Sequence, residues 1–115
     1  MSRLRFSGYF VAKFIAADAL RGQISTETIG GAYVNKCVQS VVAEILARPD
    51  GTLRMAVVNE SLVKNRRTVA GIAFALNVGE RTVSRYTSEF VYAVMGELGF
   101  WKSVPMPKYR MRIAP

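Results

Sequence analysis

The sequence predicts an all-α fold of about five helices, and three observations carry that reading. Apolar residues recur at three- and four-residue steps over most of the chain. Half of the 115 residues are hydrophobic, and glycine or polar turn residues stand where each periodic stretch stops. At this length the chain is one domain, residues 1–115, with enough apolar material for a core.

The elements follow in order. Phe10, Phe14 and Ala17, with Val11 and Ile15 beside them, predict an amphipathic core helix over about residues 8–21, ended by Gly22. Residues 23–31 form a connector that Gly30 and Gly31 break. Val34, Val38, Val41, Val42, Ile45 and Leu46 then make one apolar stripe, with Cys37 beside it as small hydrophobic filler. Arg48-Pro49-Asp50-Gly51 is a turn by composition, and Asp50 or Thr52 is placed to cap a helix over about residues 52–64. The inward side of that helix comprises Leu53, Ala56, Val57 and Val63. A polar break at Asn65-Arg66-Arg67 leads to an N-cap at Thr68, a helix over 68–76, a turn at Asn77–Gly79 and a long helix from Glu80 to about Leu98, ended by Gly99.

Both ends of the chain alternate basic and apolar residues. Arg3-Leu4-Arg5-Phe6 and Lys108-Tyr109-Arg110-Met111-Arg112-Ile113 either pair as a short β-ribbon with a basic outer face, or the second of them belongs to a loose basic tail over residues 99–115.

Composition excludes several kinds of chemistry. There is no histidine and one cysteine, so a disulfide framework within the chain and a cysteine-rich zinc site are both ruled out. The eight carboxylates are scattered, and Cys37 has no activating base near it in sequence. No metal, no cofactor and no catalytic residue is expected. The chain reads as a protein that binds rather than reacts.

Charge says what it binds. Sixteen Lys and Arg oppose eight Asp and Glu, for a net charge of +8. Residues 1–60 contribute +2, and residues 61–115, with nine basic and three acidic side chains, contribute +6. Such asymmetry points to a polyanion, either nucleic acid or an anionic membrane surface. Membrane insertion is disfavoured, because a spanning helix needs ~20 uninterrupted apolar residues and Lys13 and Asp18 interrupt the run Tyr9–Leu20. The expected location is therefore the cytoplasm.

Residues 68–87, TVAGIAFALNVGERTVSRYT, give the charge a geometry. A helix-turn-helix needs a small residue where two helices cross, and Ala73 supplies it. Ile72, Leu76, Val78, Val83 and Tyr86 fall on the facing surfaces. The turn needs a residue that tolerates positive φ, and Asn77 is the best non-glycine choice. On the second helix Val83, Tyr86, Phe90, Val94 and Leu98 point inward. Glu80, Arg81, Thr82, Ser84, Arg85 and Ser88 point outward on its N-terminal half, the half that enters a major groove. Arg81, Thr82, Ser84 and Arg85 are the base-facing candidates, since arginine bridges guanine O6 and N7. Lys64, Arg66, Arg67, Lys108, Arg110 and Arg112 are the phosphate-contact candidates.

The stretch ALNVGERTVSRY resembles the helix-turn-helix of bacterial transcription regulators, especially the fourth region of sigma factors. The wider layout over residues 53–98 is similar to that of small phage regulators of the Q-type antiterminator and ArpU-like groups, without the zinc-binding cysteines found in some of them. The resemblance implies a DNA-binding transcription regulator of the kind phages encode, with double-stranded DNA as partner. The alternative it implies is an antitermination factor or adaptor that binds RNA polymerase, its helix-turn-helix serving mainly for protein contacts. The nearly neutral half, residues 1–50, could support a homodimer or a polymerase contact. Phe100 and Trp101 either anchor an interface or cap the core.

Overall fold

The computed structural model describes residues 2–99, with side chains from residue 8 onward, and it is all-α. Helices α1 (Ser2–Leu20), α2 (Ile29–Leu46), α3 (Gly51–Val58), α4 (Val69–Leu76) and α5 (Glu80–Leu98) follow one another, and α3 runs on as a π-helical turn over Asn59–Lys64. Among the described residues there is no strand. Residues 3–6, expected as one half of a ribbon, lie inside α1, and its other half, residues 108–113, lies outside the described residues. Four alternating residues do not distinguish a strand from the first turn of a longer helix.

Helix α5 is the axis of the fold and packs against each of the other four helices. Phe90, Val91, Val94 and Met95 on α5 are completely buried and form the centre of the main core. Val38, Val41 and Ile45 of α2 meet them, as do Met55 and Val58 of α3 and Leu62 of the π turn.

Helix α1 presents an unexpected side to this core. It buries Ala12, Ala16, Ala17 and Ala19, whereas Phe14 is 68% exposed and Phe10 and Val11 are each about half exposed. Only Ala17 of the expected inward stripe is fully inside, and Ile15 is half-buried. The reason is packing distance: helix axes approach according to the side chains between them, and alanines admit the shortest approach. Sequence periodicity marks two candidate faces on such a helix, and the neighbour chooses between them. A similar correction applies to Leu46 at the end of α2 and Leu53 on α3, which are exposed.

The termini of the helices follow local chemistry. Gly22, at φ +76°, closes α1: its N–H donates to the Ala19 carbonyl at 3.1 Å and the Gln23 N–H to that of Asp18 at 2.9 Å. Gly99 ends α5 at φ +88°. Gly30 and Gly31 do not break the chain. They form the first turn of α2, where the Gly31 N–H donates to the Thr28 side chain at 2.9 Å. A Cβ at Gly31 would run into the Ser25 carbonyl oxygen, so the connector can lie against the helix start only there.

The π turn has its own support. The Asn65 N–H reaches back five residues to the Glu60 carbonyl at 3.0 Å, and Asn65 takes a left-handed conformation at φ 49°. Arg21, at the end of α1, donates to the Leu62 and Val63 carbonyls at 2.8 and 3.1 Å. It thereby satisfies oxygens that the wider turn leaves open.

Candidate nucleic-acid interface

Helices α4 and α5 are joined by three residues, Asn77–Gly79. Thr68 caps α4, its side chain accepting from the Gly71 N–H at 3.1 Å. Asn77 is left-handed, at φ 56° and ψ 49°, and ends the helix: the Val78 N–H donates to the Ala73 carbonyl at 3.0 Å. Gly79 then starts α5 with no side-chain cap. Between the helices Ile72, Ala73, Val83 and Tyr86 form a second core with Val57 of α3, and Leu76 and Val78 pack at its edge. Each residue expected on the facing surfaces is in this cluster, with Val57 added by the fold.

This small core sets the direction of the outward side chains. Arg81, Ser84 and Arg85 are exposed, and Thr82 is half-buried beside Gly79. Neither Arg81 nor Arg85 lies within 4 Å of a carboxylate among the described residues, whereas three other cations, Arg21, Arg54 and Lys64, do. The Arg85 guanidinium stands 5.4 Å from the centre of the Tyr86 ring. Arg66 and Arg67 are exposed in the loop before α4, also without an ion pair there. The stem of Arg67 lies close to Gly71: a Cβ at Gly71 would be 3.3 Å from the Arg67 Cβ.

Lys64 differs from its neighbours. Its ammonium pairs with Glu60 at 3.1 Å, although its side chain is 61% exposed. A phosphate would therefore compete with a carboxylate for it. Lys108, Arg110 and Arg112 lie outside the described residues, as do Phe100 and Trp101.

Behind the surface lies a polar cluster that sequence reasoning missed. Arg54 of α3 donates to Asp50 Oδ2 at 2.9 Å and to Glu89 Oε1 at 2.7 Å, with its guanidinium 4.3 Å from the centre of the Tyr86 ring. The Tyr86 hydroxyl donates to the same Asp50 oxygen at 3.5 Å. Asp50, placed to cap α3, accepts no backbone N–H of that helix through its side chain and pairs with the Arg54 side chain instead. The hydrogen bond from Arg54 holds the Asp50 carboxyl below the ordinary aspartate range. Burial works against the charge on Arg54, but its hydrogen bonds to Glu89 and Asp50 outweigh that cost and raise its pKa. The spacing Asp50-x-x-x-Arg54 was a visible signal of half this cluster. Glu89, thirty-five positions away, was not.

Among the described residues no group of three His, Cys, Asp or Glu side chains is placed to hold a metal ion, and no helix is long and apolar enough to cross a membrane. The chain matches no family model, no curated protein and no solved structure.

Proposed function

We propose that the chain is a DNA-binding transcription regulator whose α4 and α5 form a helix-turn-helix. The observation that carries this reading is the pair Arg81 and Arg85: both exposed, one helical turn apart on the N-terminal half of α5, and without an acidic partner among the described residues. Arg54, by contrast, is held by two carboxylates.

In the proposed complex the N-terminal half of α5 lies in the major groove, with Arg81, Thr82, Ser84 and Arg85 toward base edges. Arg66 and Arg67 fix the register on phosphates, assisted by Lys64 once it leaves Glu60 and by Lys108, Arg110 and Arg112 of the C-terminal segment. Selection of bound duplexes from a random pool tests this directly. A defined consensus is expected, bound with steep salt dependence. Arg85→Ala should relax preference at one position and cost ~1–3 kcal/mol, and Lys108→Ala should weaken all duplexes alike. Equal binding by wild type and an Arg81→Ala/Arg85→Ala variant would sink the reading.

A second reading, an adaptor on RNA polymerase, is favoured by Phe74. This side chain is 90% exposed on α4, a helix with no polar residue. Copurification with polymerase that Phe74→Ser abolishes, together with weak binding to free DNA, would favour it over the first.

A further inference from the structure

Of the arginines on the described chain, Arg54 alone holds two carboxylates, and one of them belongs to α5. Glu89 stands four residues after Arg85, so the two are neighbours on the helix surface and within reach of an ion pair. No such pair is present: Glu89 Oε1 accepts from Arg54 Nη1 at 2.7 Å instead. Both guanidiniums also approach one ring, Arg54 at 4.3 Å and Arg85 at 5.4 Å from the centre of Tyr86. Arg54 is the less exposed, its side chain retaining 16% of its surface, so it does not itself reach toward a duplex.

We infer that Arg54 is a positioning residue for the DNA-facing surface: by occupying Glu89 and Asp50 it keeps Arg85 from being captured within its own helix. This rests on the DNA-binding reading for its consequence, but the capture is a property of the free protein. Without Arg54, Glu89 and Asp50 lose their guanidinium beside Tyr86, and Arg85 is the cation nearest to Glu89 along α5. The surface then loses a free arginine.

Arg54→Met tests this, because methionine keeps an unbranched stem over Tyr86 while removing the charge. Labelling with phenylglyoxal, followed residue by residue by mass spectrometry, reads the freedom of Arg85 without DNA. Arg85 should react readily in the wild type, several-fold more slowly in Arg54→Met, and readily again in Arg54→Met/Glu89→Gln. Affinity for the selected duplex should fall roughly tenfold in Arg54→Met, the scale of one lost bidentate arginine contact, and return in the double variant. A double variant that stays as weak and as protected as Arg54→Met would overturn the inference, leaving Arg54 a strut between helices. So would unchanged labelling in Arg54→Met. Should that variant not fold, Arg54→Lys decides the question, since lysine reaches one carboxylate at a time. Intermediate protection of Arg85 would support the inference and none would overturn it. A wild type that binds no duplex would remove the DNA reading, and the labelling would still decide the capture.

Discussion

At the scale of single residues, one side chain placed to cap a helix, that of Asp50, pairs with other side chains instead. The Asp50 carboxylate has turned from the helix start to Arg54 and Tyr86. Its pKa is lowered, so the sign of its effect on stability is fixed. The contribution is fully present above the ordinary aspartate value of about 3.9 and is lost as pH falls through the lower folded value. Urea unfolding followed from about pH 7 to about pH 2 should therefore show a steeper acid limb for wild type than for Asp50→Asn, which has no proton to take up there. Coincident limbs would mean that Asp50 gains nothing from Arg54. Gly51, next in the chain, is buried, and a Cβ there would meet the Ile45 carbonyl and the Leu46 backbone. The turn motif Pro-Asp-Gly announced a glycine but not this close approach.

Single elements are where the sequence was most legible. Thr68, Asn77 and Gly79 mark the bounds of α4 and the start of α5, and each acts through its own backbone or the next turn. Such effects depend on neighbours within four residues, so the sequence contains them in full. Helix α4 has eight residues, too few to persist alone in water, and its cap matters accordingly. Thr68→Ala should cost ~1 kcal/mol in chemical unfolding, and Thr68→Ser should cost little of it. Equal losses for both would show that the methyl group matters and the hydroxyl does not. The π turn was not legible. The sequence over 59–64 reads as ordinary helix, and its widened geometry goes with Arg21, a residue on another element, which donates to two of its carbonyls.

For the whole molecule the test is a comparison of two phenylalanines that look alike in the sequence. Phe90 is fully buried at the centre of the main core, and Phe14 is 68% exposed on α1. Phe90→Ala should cost ~3–5 kcal/mol, a large part of the stability of a domain this size, whereas Phe14→Ala should lie within ~0.5 kcal/mol of wild type. Thermal and chemical unfolding would check both. A large loss at Phe14 would mean that this side of α1 is covered after all.

The sequence by itself determined the all-helical class, the positions at which most helices stop, the inward residues of α5 and the outward set Arg81, Ser84 and Arg85. These rest on periodicity and on caps, both local, and α5 is so strongly two-sided that one packing suits it. Only the tertiary structure decided which face of α1 is inside, where the aspartate at residue 50 points and which arginines remain unpaired. The physical reason is shared by all three. Each is a competition that a distant segment decides: α5 selects the alanine side of α1 over the phenylalanine side, Tyr86 of α5 joins the nearby Arg54 in holding Asp50, and Arg54 of α3 takes Glu89 in place of Arg85. Such competitions are settled by distances that exist once the helices have packed.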